Sequence, residues 1–361
     1  MGITAVRGEL PTAGGWPRVE LAALRRCSLG IELGADRTRI VREGGVVADA
    51  PSVLALEVRS GKLVAVGDAA VALEQPRATE EGVTCGAAAN DGGPEVTVLR
   101  PVADGSAESP AAVGLMLRAL LAKAGLRRSR WRRVAVAVPH AGSPLLMLGV
   151  RTAVEAIGAR EVVPVAPTFA AACAGHLSLA DNRPVLSVVC GATRTHAAVL
   201  VGDAMLDGDL VPVGGTDVHE ALAQYLMDTY GLRLGPRHIR ALHPHLTGAA
   251  AGAGGTVTVR GWDVRRARPR AQELDANELI GAVGVPLDLM ADLVRRVVAR
   301  TSAEILLDLA DRGAVLAGPG AAVAGLADRI RTATMLPTYL APDPGLAVAH
   351  GMTNLIRSDP R

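Results

Sequence analysis

The sequence predicts an α/β protein built from two related halves, and three observations carry that expectation. An apolar segment running into Gly-Ala-x-Arg-Thr occurs twice, as Leu29-Gly-Ile-Glu-Leu-Gly-Ala-Asp-Arg-Thr38 and as Leu186-Ser-Val-Val-Cys-Gly-Ala-Thr-Arg-Thr195, half the chain apart. From Ala111 onward, helix-period and strand-period segments alternate, as they do where helices cover a sheet. Glycine turns at Gly34, Gly191, Gly214-Gly215 and Gly318-Pro319-Gly320 punctuate this pattern, the first two echoing each other across the halves.

Each element follows from local chemistry. Residues 1–15 read as a loose tail, and Trp16 to Arg26 as a short helix with Trp16, Val19, Leu21 and Leu24 as its apolar positions. Ser28 to Leu33 and Thr38 to Val41 are strands joined across the Gly34 turn. Val46 to Leu56 and Lys62 to Val66 continue the meander across Ser60-Gly61. Residues 78–95, rich in glycine and polar side chains, read as a loop. Ala111 to Ala124 and Val150 to Ala156 are helices that alternate with the strands Arg133 to Val138 and Glu161 to Val165. In the second half, Asp217 to Tyr230 is a helix behind Gly214-Gly215. Ala314 to Ala317 is a strand, and Ala321 to Arg331 a helix behind the third glycine turn.

Composition narrows the function. The 361 residues suffice for two domains or one large split one, and 49% hydrophobic against 20% charged residues predicts a folded chain. Lys plus Arg is 38 and Asp plus Glu 36, a net charge of +2, too small for a bulk nucleic-acid binder. Only 2% of residues are aromatic, so stacking platforms for single-stranded nucleic acid are scarce. Cys27, Cys85, Cys173 and Cys190 make no CxxC pair, and neither a secretory leader nor a membrane span is evident, so the expectation is a reduced, cytoplasmic protein. His219, His238, His243 and His245 lack the acidic or thiol companions of a metal site. No nucleophile elbow occurs, because Gly142-Ser143-Pro144 lacks the flanking glycine.

The echoed hairpins carry the chemistry. Glycine lets the backbone turn sharply and leaves amides free to face an anion, so two facing hairpins can grip a phosphate chain from both sides. A strand, a glycine turn and a helix, as at Gly318-Pro319-Gly320-Ala321, bring backbone close to a ligand at a helix start.

From Ser28 to Arg357 the sequence resembles the MreB family of bacterial actin-like proteins, within the superfamily of actins, sugar kinases and heat-shock chaperones. The resemblance rests on the two hairpins and on ordered matches: Ala50-Pro-Ser-Val-Leu-Ala-Leu56, Gly61-Lys-Leu-Val-Ala-Val-Gly67, Arg100-Pro-Val-Ala-Asp-Gly105, Gly158-Ala-Arg-Glu-Val162, Val213-Gly-Gly215, Val259-Arg-Gly261, Asp311-Arg-Gly-Ala-Val-Leu316 and Ala341-Pro-Asp-Pro344. It implies an actin-like two-domain fold of duplicated ribonuclease H-like domains, each with a small subdomain, around a nucleotide cleft. On that reading residues 1–27 are a tail with a short helix. Residues 28–165 form domain I, with a small subdomain at about 56–98, and residues 166–335 form domain II, with one at about 211–280. Residues 336–361 return to domain I.

The resemblance also assigns the site. The candidate nucleotide-binding residues are Glu32, Gly34, Ala35, Asp36 and Arg37 on the first hairpin, and Gly191, Ala192, Thr193 and Arg194 on the second. Gly214, Gly215, Arg240, His243, Gly318, Pro319, Gly320 and Ala321 complete the set. Departures from the family pattern argue for weakened ATP binding, doubtful Mg²⁺ and lost hydrolysis. Family members place an acid in each hairpin to organise hydrated Mg²⁺. The first survives as Glu32, whereas the second falls at Val189. The glutamates that position the attacking water fall at Val165 and Ala166, which can neither orient nor deprotonate it. Arg37 and Arg194, at matching places, are candidates to meet phosphate directly.

The implied role is cytoskeletal, in bacterial cell shape or cell-wall organisation, through self-association into protofilaments or with paralogous actin-like chains. The alternatives are an active ATPase or phosphotransferase of the same superfold and a nucleotide-free adaptor. Arg130, Trp131 and Arg132 are the candidate contact with an anionic membrane at the inner face of the cell envelope. A second basic strip, Arg260 to Arg270 around Trp262, reads as a solvated face or a filament contact.

Overall fold

The computed structural model describes residues 18–74, 76–79, 82–85, 95–103, 106–107, 109–126, 131–139, 144–175, 182–247 and 255–356. In the first half, α1 (Leu21–Leu24) leads into β1 (Leu29–Leu33), β2 (Arg37–Arg42), β3 (Gly45–Pro51), β4 (Leu54–Glu57), β5 (Leu63–Val66), α2 (Asp68–Val71), β6 (Pro76–Thr79), β7 (Gly82–Cys85) and β8 (Val96–Leu99). Then come β9 (Val102–Ala103), β10 (Ser106–Ala107), α3 (Pro110–Lys123), β11 (Arg133–Ala137), α4 (Pro144–Glu155), β12 (Glu161–Val165) and α5 (Pro167–Ala172). The second half opens with β13 (Pro184–Cys190), β14 (Thr195–Val201), β15 (Ala204–Val211), α6 (Gly215–Tyr230), β16 (Leu232–Arg233) and α7 (Pro236–Arg240). It continues through β17 (Thr256–Asp263), β18 (Arg268–Asp275), α8 (Ala276–Ala282), α9 (Gly284–Arg300) and α10 (Ala303–Arg312). It closes with β19 (Ala314–Ala317), α11 (Leu326–Thr334), β20 (Thr338–Leu340) and α12 (Ala347–Leu355).

The duplication foreshadowed by the echoed peptides is visible in the strand order. One five-stranded sheet runs β12-β11-β1-β2-β3 and the other β20-β19-β13-β14-β15. In each, three antiparallel strands are followed across the first of them by parallel ones: β1 lies parallel to β11, and β13 parallel to β19. Strands buried on both faces read as continuous apolar runs, and β13 is buried at all seven positions for that reason. Smaller sheets flank the large ones, β5-β4-β8 in the first half and β16-β17-β18 in the second.

Local signals set the ends of several elements. Ser109 caps α3, its Oγ accepting from the Ala112 amide at 3.3 Å, with Pro110 next in the first helical turn. Gly231, at φ +63°, ends α6 in the left-handed conformation that glycine adopts without strain. Three expectations are corrected. The strand expected over Val46 to Leu56 splits into β3 and β4 at Ser52, whose amide and hydroxyl are drawn to the first hairpin instead. The glycine-rich stretch over 78–95 contributes to an antiparallel pair, β6 with β7, within its described part. Behind Gly318 the chain makes a 3₁₀ turn, Pro319–Ala322, and the helix begins only at Leu326, because Pro319 and the tight packing of the glycines defer it.

Between the two large sheets lies a shared core. Val41, Ala135 and Val163 from the first sheet and Val185, Val189, Ala198 and Val315 from the second join one apolar cluster with α5 and α12. These two helices touch so closely that a Cβ on Gly351 would lie 1.6 Å from the Ala170 carbonyl oxygen. The C-terminal helix also packs on β1, β2 and β3 of the first sheet.

Candidate functional site

The two glycine hairpins share one construction. In the first, the Gly34 amide donates to the Arg37 carbonyl at 3.1 Å; in the second, the Gly191 amide donates to the Arg194 carbonyl at 2.8 Å. A Cβ on Gly34 would sit 2.7 Å from the Arg37 oxygen, and one on Gly191 would sit 3.1 Å from the Arg194 oxygen. Glycine is thus required by close approach at the first turn and favoured at the second. Strand register fixes the correspondence of side chains. Glu32 lies opposite Arg39 and beside Ala137, and Val189 lies opposite His196 and beside Ala317.

The second hairpin is held by the glycine turns expected near it. The Gly215 amide donates to the Gly191 carbonyl at 3.0 Å and the Thr216 amide to the Ala192 carbonyl at 2.7 Å, so the start of α6 seats on the hairpin. Gly214 is pinned from two sides: its amide donates to Asp217 Oδ2 at 2.7 Å, and a Cβ there would be 2.6 Å from the Ala192 backbone. Gly318, at φ +84°, and Gly320 lie against Cys190, and the Gly318 amide donates to the Pro344 carbonyl at 2.6 Å. Gly318, Gly320 and Ala321 are buried and Pro319 is exposed. Gly191 and Ala192 are therefore packed backbone to backbone with Gly214 and Gly215, and the neighbouring Cys190 with Gly318 and Gly320.

On the first hairpin the side chains pair among themselves. Arg39 Nη1 donates to both oxygens of Glu32 at 3.1 Å, and Arg39 Nε lies 3.4 Å from Asp49. Burial pushes the Glu32 carboxyl up from its ordinary value, and the Arg39 guanidinium opposes that rise. Arg37 Nε donates to Asp49 Oδ1 at 2.7 Å. The expected symmetry of Arg37 and Arg194 is therefore broken: Asp49 engages Arg37, while Arg194 Nε is buried with no hydrogen-bond partner among the described residues. The hairpin backbone is braced by Ser52, whose Oγ donates to the Gly34 carbonyl at 2.6 Å and whose amide donates to the Asp36 carbonyl at 2.8 Å.

Across from Asp36 stand two histidines of the second half. His219, one turn into α6, and His243 approach with Nε2 and Nδ1 3.3 Å apart and their rings edge-on. Burial, then His243 and Arg240, depress the His219 imidazole to about 4, against an opposing pull from Asp36. His243 is lowered by burial and likewise feels Asp36. Asp36 of the first hairpin is thus near enough to His219 and His243 for its charge to act on both. A direct tie lies further out: Arg237 of α7 donates to the Glu74 carbonyl at 2.7 Å and to the Val71 carbonyl at the end of α2.

Residues 26–359 match the MreB/Mbl protein family. The chain belongs to that family. It is 28% identical over 330 residues to the cell shape-determining protein MreB of Escherichia coli strain K12, covering 90% of this chain and 91% of the relative. It is 24% identical over 327 residues to the cell shape-determining protein Mbl of Bacillus subtilis strain 168, covering 90% and 93%. The fold is similar to MreB5 of Spiroplasma citri bound to ADP, with TM-score 0.78 and 18% identity over 91% of this chain and 95% of that one. It is also similar to the MamK double helical filament, with TM-score 0.68 and 17% identity over 91% and 98%. The expected actin-like α/β fold is borne out.

One site expectation is overturned in this MreB/Mbl chain. Trp131 is 5% exposed, packed into the core of the first half, with the Arg42 guanidinium 6.0 Å from its ring centroid. An indole so enclosed cannot enter a membrane interface. Arg132 is exposed, its carbonyl accepting from the Glu161 amide at 3.1 Å, and Arg130 lies outside the described residues. No sequence motif marks Arg39, His219 or Arg237 for these roles. The Glu32–Arg39 pairing was legible, since hairpin register about Gly34 sets those two opposite each other. The contacts of His219 and Arg237 join segments far apart in sequence and leave no local signal.

Proposed function

We propose that this MreB/Mbl chain acts in bacterial cell shape or cell-wall organisation, from the cytoplasm, by assembling with copies of itself or with paralogous actin-like chains. In the same proposal its cleft takes ATP weakly, without magnesium-assisted hydrolysis. The names of the curated relatives support the first part, and the filament formed by the structurally similar MamK supports assembly. The second part rests on one observation above all: Val189, apolar and 6% exposed, stands where the first hairpin carries Glu32. The donor set does not fit hydrated Mg²⁺, which wants free carboxylates and waters in octahedral array. Glu32 is held by Arg39, and Val189 offers no oxygen. Val165 and Ala166 leave no group to orient a water before Pro167.

Phosphate contact then falls to the turn amides beyond Gly34 and Gly191, whose own amides close the hairpins, and to the guanidinium end of Arg194. Titration calorimetry with ATP in EDTA tests this. We expect binding in the millimolar range that Mg²⁺ does not strengthen and that Arg194→Gln weakens roughly tenfold, the loss of one charge-assisted hydrogen bond. A magnesium-dependent affinity gain, or phosphate release at steady turnover, would overturn the proposed loss of metal and hydrolysis.

A further inference from the structure

We infer that Glu32, Arg37, Arg39 and Asp49 form a built-in counter-ion set, in which two guanidinium groups supply the positive charge that a divalent cation would otherwise bring, and that a metal-free nucleotide binds by drawing Arg39 from Glu32 onto its phosphate. The inference rests on the proposed nucleotide cleft and names the source of its positive charge.

Strand register places the set. Cross-strand partners project to the same face of a sheet, and Val165, Ala137, Glu32, Arg39 and Asp49 are successive partners across β12, β11, β1, β2 and β3. Arg37, two residues before Arg39 on β2, shares that face. Ile31 and Ile40, on the opposite face, join the core of the first half. Val165 and Ala137 belong instead to the apolar cluster shared with the second sheet. The row therefore begins in the gap between the halves and runs outward to the exposed Asp49. In the second sheet the matching positions are Ala317 and Val189, which carry no charge.

The four side chains are paired unevenly. Arg37 Nε donates to Asp49 Oδ1 at 2.7 Å, a short charge-assisted bond. Arg39 is held more loosely. One nitrogen, Nη1, serves both Glu32 oxygens at 3.1 Å, Nε lies 3.4 Å from Asp49, and Nη2 makes no hydrogen bond among the described residues. A guanidinium that engages a carboxylate fully does so through two nitrogens in parallel, at about 2.7–2.9 Å. Arg39 thus keeps a donor for a second anion, and a phosphate accepts the fork that Glu32 leaves incomplete. Two acids set against two arginines leave no net negative charge to attract Mg²⁺. The pairing that readies the site for phosphate therefore closes it to metal.

Titration calorimetry of the full-length chain with ATP in EDTA tests the inference. Glu32→Gln is expected to tighten ATP binding about fivefold, because it releases Arg39, and Arg39→Gln to weaken it about tenfold. The double variant should bind like Arg39→Gln alone, since the gain from removing Glu32 acts only through Arg39. Circular dichroism checks that each variant folds. Should either buried change unfold the chain, Asp49→Asn at the exposed end frees Arg37 and is expected to tighten ATP binding, with Arg37→Gln cancelling that gain. Mn²⁺ alone, followed by its electron paramagnetic resonance signal, should remain free in the presence of native protein. A Glu32→Gln or Asp49→Asn variant that folds yet binds ATP no tighter than the native chain would overturn the counter-ion set, and so would a gain that survives loss of its arginine or one equivalent of Mn²⁺ bound by native protein. Each of these results leaves the cleft a nucleotide site. Absence of ATP binding by the native chain and by every variant at millimolar concentration overturns the nucleotide reading itself.

Discussion

Glu32 and Val189 hold equivalent places in the two halves, and what surrounds each one decides its chemistry. Removing the Glu32 carboxylate leaves Arg39, 7% exposed, with Asp49 as its remaining acid. Glu32→Gln is expected to destabilise the fold by about 1–3 kcal/mol, read as a lower urea midpoint, because a buried guanidinium loses its bidentate acceptor. His219 yields a pH effect with a definite sign. Its imidazole titrates near 6.5 when unfolded and near 4 when folded, so between those values the unfolded state binds more protons. Stability should therefore fall as the pH drops from about 6.5 toward 4 and level off below. The imidazole is partly open to water, so screening reduces the effect to roughly 1 kcal/mol. Urea titrations of native protein and His219→Gln across that range check it, the variant being expected to flatten the slope; equal slopes would remove His219 from the account.

Among the elements, α5 and α12 have least room to change. A Cβ on Gly351 meets backbone at 1.6 Å, a clash that no rotamer relieves, whereas one on Gly345 meets nothing within 4 Å. Gly351→Ala is expected to cost more than about 3 kcal/mol, and Gly345→Ala less than about 0.5 kcal/mol, in thermal unfolding. Strand ends and helix seats also hide the thiols. Burial pushes Cys27, Cys173 and Cys190 each up to about 12, so none presents thiolate at neutral pH. These three should label with Ellman's reagent only after unfolding. Both hairpins were legible from sequence because a turn glycine between apolar runs is a local signal, and so were β11, β12 and α3. The β6–β7 pairing and the late start of α11 were not, because glycine-rich polar segments carry no periodicity and the 3₁₀ turn follows from packing on Cys190.

At the scale of the molecule, the two halves are tied by the shared core and, at the outer edge, by Arg237 reaching the Val71 carbonyl that ends α2 and the Glu74 carbonyl just beyond it. Arginine at a helix C-terminus meets both the unsatisfied carbonyls and the negative end of the dipole. Arg237→Ala should free that edge. The expected outcome is faster amide exchange over α2 with the shared core unchanged, measured by hydrogen–deuterium exchange; unchanged protection in α2 would show that other contacts hold the edge.

The sequence alone determined the family, the duplication and the glycine turns, because those are written in short stretches where backbone conformation depends on neighbouring residues. It also determined that position 189 carries no acid, since identity at a matched place needs no coordinates. Tertiary structure alone decided how these side chains are placed: it paired Arg37 with Asp49, buried Arg194 Nε without a partner among the described residues, enclosed Trp131 and exposed Trp262. The reason is that burial and ion pairing depend on which distant segments come together, and a tryptophan among arginines reads the same in sequence whether it faces a core or water.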